Sequence, residues 1–295
     1  MSTVEVFSPA KINLFLAVTG RRPDGYHDLV SVAAPLEWGD RLLCALREGE
    51  ADGCTLACDD PAVPLDESNL ILKAAARFRA ASGWRRNVAF TLAKRIPIGA
   101  GLGGGSSNAA AALKALNRLA GGPLDPAALA RAAAEVGSDC ALFLAGVPVA
   151  MRGRGERVEP LADAAAARLR GRRLLLFKPG FGVSTPWAYG RLAASGAYLP
   201  AAEAEARLAA WAAGAAPAEE LLYNNMEPPV FAKFPALPLL LERLQADFGL
   251  AGRMSGSGSC CFALLPGAGP APSAVAAAIR ESWGASAFLV ETRLA

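Results

Sequence analysis

The run Pro97-Ile-Gly-Ala-Gly-Leu-Gly-Gly-Gly-Ser-Ser107 constrains this chain more than any other feature, because glycine fills five of the seven positions from 99 to 105. Such a connector loses much conformational entropy when it orders, so a plain turn is a poor reason for it. Glycines let a backbone approach a ligand closely and adopt positive φ. Before the run, residues 87–93 alternate like a strand. After it, residues 107–119 read as a helix, expected to begin at Ser106 or Ser107. The free N–H groups and dipole of that helix then face the loop, a setting suited to a polyphosphate. The two serine hydroxyls add contacts to phosphate or to a phosphate-bound magnesium ion. The candidate phosphate-binding residues are therefore Pro97, Ile98, Gly99, Ala100, Gly101, Leu102, Gly103, Gly104, Gly105, Ser106 and Ser107.

Three familiar phosphate sites compete for this run. Gly99, Gly101 and Gly104 satisfy G-x-G-x-x-G, but a dinucleotide fold needs a strand ending in Asp or Glu about 20 residues later. Here that place holds Gly121-Gly-Pro-Leu-Asp125, a turn into another helix. A P-loop needs a Lys directly after the glycines, and none follows. Asp247-Phe-Gly249 spells the protein-kinase magnesium motif, yet its companion H-R-D loop is excluded because the sole histidine is His27.

With 295 residues, the chain is long enough for two domains. Apolar residues make up 53% and charged ones 19%, which suits a folded chain. A net charge of +3 without a basic block gives no reason to expect a nucleic-acid partner. No apolar stretch is long enough to span a membrane, and the start lacks the pattern of a secretory signal. The six cysteines form no C-x-x-C pair, so no metal site is expected from them, and reduced thiols in the cytosol are the expected state. Strands and helices alternate irregularly, predicting an α+β chain. Arg22-Pro-Asp-Gly25 reads as a hairpin turn, Asn69 as a helix cap, residues 141–144 as a strand, and 155–165 as a domain boundary.

The glycine run resembles the central motif of the GHMP kinases, Pro-x-x-x-Gly-Leu-Gly-Gly-Gly-Ser-Ser. Pro9-Ala-Lys-Ile-Asn-Leu14 and Ser255-Gly-Ser-Gly-Ser259 resemble the other two motifs of that family, in the right order. The resemblance implies a two-domain GHMP kinase fold with mixed sheets and helices in each domain. Residues 1–158 would form the ATP-binding domain and 159–295 the substrate-side domain. It implies ATP as phosphoryl donor with Mg2+, whose ligands stay unassigned. It also implies a catalytic pair, Lys11 on the first strand and Asp139 after a helix. By residue type alone, Lys11 reads as an edge lysine and Asp139 as a turn residue. The family's Ser-Asp-Val-Pro-Phe-Phe stands here as Ser138-Asp-Cys-Ala-Leu-Phe143, so the backbone after Asp139 is less predictable.

Arg22-Pro-Asp-Gly-Tyr-His27 is similar to one GHMP branch, whose acceptor is a methylerythritol alcohol linked to cytidine diphosphate. That likeness implies substrate-binding roles for Tyr26, stacked on cytosine, and His27, bonded to its edge. Tyr189 would form a second aromatic wall, and Asn13 would hold the erythritol or its phosphates. Tyr26 and His27 cannot share a strand face, so one of them belongs to the turn. The implied partner is a small molecule carrying a cytidine diphosphate moiety. Other acceptors within the family, or a noncatalytic nucleotide sensor, are the alternatives. Oligomeric state, the role of Cys260 and Cys261, and that of Asn225 are left open by sequence.

Overall fold

The computed structural model describes residues 2–48, 53–267 and 269–295. In chain order the elements are β1 (Thr3–Arg21), β2 (His27–Leu46), β3 (Cys54–Cys58), α1 (Leu70–Ser82), β4 (Val88–Ala93), α2 (Gly104–Leu119) and α3 (Pro126–Val136). They continue with α4 (Cys140–Ala145), β5 (Val149–Gly153), β6 (Arg157–Pro160), α5 (Asp163–Ala167), β7 (Arg173–Lys178), α6 (Thr185–Ser195) and α7 (Ala201–Ala213). The last are β8 (Tyr223–Asn224), α8 (Glu227–Phe231), α9 (Ala236–Phe248), β9 (Gly252–Met254), β10 (Cys261–Leu264), α10 (Pro272–Trp283) and β11 (Phe288–Arg293).

Two compact units result. The first takes its described residues from Met1–Ala10, Trp38–Ile98 and Gly103–Gly146, the second from Lys11–Glu37, Gly99–Leu102 and Val147–Ala295. The long strands β1 and β2 each give one half to each unit, so no one point in the sequence separates them.

In the first unit, β4 pairs antiparallel with Arg41–Leu46 of β2 and parallel with β3. Helices α1, α2 and α3 bury Ile71, Phe78, Ala112, Leu116 and Ala133 against Leu42, Phe90 and Leu92 of those strands. Many of the helical contacts are alanines, which let helices approach closely at little side-chain entropy cost. Asn69 caps α1 by accepting from the Ile71 N–H, as its position suggests.

In the second unit, β5 pairs antiparallel with Leu29–Ala33 of β2, β6 follows on β5, and β8 runs parallel to β1 at Phe15 and Leu16. A separate antiparallel sheet has the order β11-β7-β10-β9. The expected strand over 141–144 is helix α4 instead: so short an apolar run fits either state, and the turn at Gly137–Cys140 leads into helical backbone that Gly146, at a φ of 68°, ends. The expected boundary region holds β6 and α5. Among the described residues, no helix is long and apolar enough to cross a membrane.

Candidate active site

Helix α2 starts at Gly104, earlier than the serines suggested, because Gly103 takes a left-handed φ of 69° and serves as its cap residue. Gly103 has no side chain to cap with, so the N–H groups of Gly104, Gly105 and Ser106 keep their donors for an incoming anion. The first intrahelical bond is Ser107 N–H to Gly103 C=O, at 2.9 Å. The two serines then part company. The Ser107 hydroxyl is buried and accepts from Ser8 Oγ at 2.8 Å, whereas Ser106 is only half-buried and bonds the Cys140 thiol.

The three sequence motifs meet inside the second unit. Lys11 N–H donates to the Leu102 carbonyl at 3.0 Å, and Asn13 N–H to Ser255 Oγ at 3.4 Å. Ser255 Oγ donates in turn to the Gly101 carbonyl at 3.1 Å, and Cys260 N–H to the Ala100 carbonyl. Gly101 has a φ of +77°, and a Cβ there would sit 2.1 Å from the Ser255 carbonyl oxygen. Only glycine permits so close a backbone contact.

Lys11 and Asn13 are nearly buried, 5% and 6% exposed. Lys11 Nζ donates to Asn13 Oδ1 at 2.5 Å. Asn13 Nδ2 donates to Ser31 Oγ at 2.9 Å, and Ser31 to the Phe15 carbonyl at 2.6 Å. This chain fixes the Asn13 amide and aims the lysine. A snorkelling edge lysine would leave its head in water; this one does not.

In the first unit Asp139 stands at the cap position of α4, after a turn closed by Cys140 N–H to Gly137 C=O at 3.0 Å. Its side chain makes no cap hydrogen bond to α4, so the helix does not consume it. The carboxylate lies at a helix N-terminus, where the dipole favours negative charge, and not merely past the end of α3. Cys140 is inert: burial pushes its thiol up to about 12.

His27 opens β2, and Tyr26 stays in the turn closed by Arg22 N–H to the Tyr26 carbonyl, at 2.8 Å. Tyr26 is 55% exposed, with the Arg154 guanidinium 4.8 Å from its ring centre. His27 packs against Tyr189 at 4.9 Å and Tyr198 at 6.0 Å between ring centres. Its Nε2 is buried and has no hydrogen-bond partner. Burial, and then the charge of Arg21, lower its pKa and keep the ring neutral.

Several supporting residues carry no motif. Asn224 Nδ2 donates to the carbonyls of Met254 and Gly256, and Glu227 accepts from Met254 N–H at 2.8 Å, so this segment anchors the Ser255–Ser259 loop. Asn225 binds both the N–H and the C=O of Val18 and is a structural clamp. Burial pushes Glu227 up to about 7. Tyr198 has no signal in the sequence, and Asn224 and Glu227 have only the polar segment Tyr223-Asn-Asn-Met-Glu227 among apolar neighbours.

This arrangement of glycine loop, uncapped helix and anchored third loop defines a small-molecule kinase of the GHMP class. The model of the GHMP kinases N terminal domain matches residues 69–147, and that of the GHMP kinases C terminal matches residues 207–286. A 4-diphosphocytidyl-2-C-methyl-D-erythritol kinase from Methylacidiphilum infernorum is 40% identical over 89% of this chain and 86% of its own. One from a Synechococcus species is 41% identical over 97% and 94%. The chain belongs to this 4-diphosphocytidyl-2-C-methyl-D-erythritol kinase family. A crystal structure of a 4-(cytidine 5'-diphospho)-2C-methyl-D-erythritol kinase superposes with a TM-score of 0.76 at 36% identity, covering 99% of this chain and 100% of the other. Homoserine kinase from Cytophaga hutchinsonii shares the fold, with a TM-score of 0.73 at 18% identity.

Proposed function

We propose that this protein transfers the γ-phosphoryl group of ATP to the tertiary 2-hydroxyl of 4-diphosphocytidyl-2-C-methyl-D-erythritol, giving the 2-phosphate and ADP. The observation that carries the kinase reading is the joining of three distant motifs by direct hydrogen bonds at Lys11, Asn13, Gly101 and Ser255. The family relatives supply the acceptor. The donors at the start of α2 and the glycine backbone bind the polyphosphate.

In this reading Asp139 accepts the proton of the acceptor hydroxyl as its oxygen bonds to phosphorus. The Lys11 ammonium draws in the γ-phosphate and offsets charge on the transferring group. Asn13, which holds the lysine head, also meets the acceptor. His27 bonds the cytosine edge through Nε2, with Tyr26 and Tyr189 as aromatic faces. An unpartnered imidazole nitrogen buried beside tyrosine rings supports this assignment, since such a nitrogen is costly unless a ligand completes it.

A magnesium ion bound to ATP would neutralise charge on the phosphate oxygens. Among the described residues no group of three or more His, Cys, Asp or Glu side chains is ready to hold a metal. Such an ion would be held mostly by the substrate phosphates, with a hydroxyl such as Ser106 able to add a contact. Six free thiols accord with a cytosolic setting.

An assay coupling ADP release to the cytidyl substrate tests the proposal, with mevalonate, homoserine and galactose as comparisons. Turnover of free 2-C-methyl-D-erythritol 4-phosphate at the same kcat/KM would sink the cytidine pocket. Nucleotide binding without ADP release from any alcohol would point to a sensor.

A further inference from the structure

Asp40 is fully buried on β2, and its carboxylate accepts four hydrogen bonds. Arg95 N–H and Ile96 N–H reach Oδ1 at 2.6 and 2.8 Å. Lys94 Nζ and Asn108 Nδ2 reach Oδ2 at 2.5 and 2.9 Å. Arg95 and Ile96 directly precede Pro97, the first residue of the glycine-rich run; Asn108 directly follows Ser107, the last. One carboxylate therefore holds both ends of the run.

The network extends to the first turn of α2. Asn108 Nδ2 also donates to Ser8 Oγ at 2.8 Å, and Ser8 Oγ to Ser107 Oγ at 2.8 Å. Lys94 is anchored at its backbone too, its N–H donating to Asp59 at 2.8 Å. A Cβ on Gly104 would lie 3.1 Å from Lys94 Nζ and 3.0 Å from Ile96 Cγ2, so the ammonium sits against the start of α2. Left alone, a cation there would oppose the helix dipole; the Asp40 charge offsets it.

We infer that Asp40 is a positioning residue for nucleotide binding, which presets the phosphate loop by tying its two ends to one buried carboxylate. A run with five glycines in seven residues has many conformations to lose. Fastening its ends before ligand arrives removes part of that cost from binding. Asp40 is fully buried, so it acts through the groups that bond it: Lys94, the Arg95 and Ile96 N–H groups, and Asn108. The inference rests on residues 97–107 being the ATP site.

The test compares wild type with Asp40→Asn and Asn108→Ala, using calorimetric ATP binding, both KM values and kcat well below each variant's Tm. Asp40→Asn turns Oδ2 into a donor facing two donors, and it leaves the buried lysine unpaired, so it lowers Tm as well. Asn108→Ala keeps the Asp40–Lys94 pair and cuts the bonds of Asn108 to Asp40 and to Ser8, which serves if the first variant does not fold. The expected result is ATP Kd and KM raised about tenfold for a folded variant, because one or two lost hydrogen bonds are worth that much. The KM for the cytidyl alcohol and kcat at saturating ATP stay within about threefold, since bound nucleotide restores the loop. ATP affinity within twofold of wild type in a folded variant, or an equal rise in both KM values, overturns the inference. Failure of wild type itself to bind ATP would instead refute the nucleotide reading of residues 97–107.

Discussion

The His27 ring lies 4.9 Å from that of Tyr189, inclined by 34°. One half-buried imidazole thus offers an aromatic face to a tyrosine and a buried, unpartnered Nε2 to whatever lies beyond it. Replacing it by phenylalanine keeps the ring and deletes the nitrogen. His27→Phe should raise KM for the cytidyl substrate roughly tenfold or more, the worth of a hydrogen bond to a buried group, with kcat little changed. Steady-state kinetics checks this, and an unchanged KM removes His27 from base recognition.

The same residue sets a pH expectation. Because burial and Arg21 lower its pKa below the ordinary 6.5, the folded protein holds a neutral ring where an unfolded chain would begin to protonate. The stability it contributes is whole above pH 6.5 and is lost as pH falls towards the lower folded value. KM for the cytidyl substrate should stay flat down through pH 6.5 and climb only below it. A rise centred at or above pH 6.5 would contradict this.

Asp139→Asn keeps the shape of the side chain and removes its basicity. Turnover should drop by roughly 10²–10⁴-fold in a variant that still folds, since α4 does not use the side chain as a cap. Near-normal turnover would exclude Asp139 as the base.

Gly101→Ala and Gly99→Ala make a matched pair, both at positive φ. A Cβ at 101 meets the Ser255 carbonyl oxygen at 2.1 Å, whereas at 99 it meets nothing within 4 Å. Gly99→Ala should cost about 1–2 kcal/mol of backbone strain. Gly101→Ala should add roughly 1–3 kcal/mol of overpacking and separate the glycine run from the Ser255–Ser259 loop. Equal denaturation midpoints for the two variants would refute the proposed contact.

Glu227 has a folded pKa of about 7 against an ordinary 4.5, so ionising it works against the fold. The stability associated with its protonated form is complete below pH 4.5 and is lost as pH rises through 7. Glu227→Gln keeps an acceptor for Met254 N–H and cannot ionise. At pH 8 the variant should be more stable than wild type by on the order of 3 kcal/mol, with the difference nearly gone below pH 4.5. Urea unfolding at the two pH values measures it.

The class of protein was legible from local pattern. A glycine run between a strand and a helix demands special φ angles and free N–H groups whatever surrounds it, and the companion motifs around Lys11 and Ser255 are equally local. The turn at Arg22–Gly25 and the Asn69 cap follow from the same short-range chemistry. Asp40 has no comparable mark: a carboxylate that shares its strand with Asp28 and Glu37 cannot announce that residues 95, 96 and 108 will converge on it. Asp139 is a candidate by its motif, but its place at the head of α4 depends on how the backbone continues through Cys140. Sequence by itself determined which groups can bind phosphate and carry a proton, because those capacities belong to residue types and short spacings. Tertiary structure alone decided that Gly101 touches Ser255 and that Asp40 holds both ends of the loop. Those contacts join residues tens to more than a hundred positions apart, and only packing of the finished chain brings them within hydrogen-bond reach.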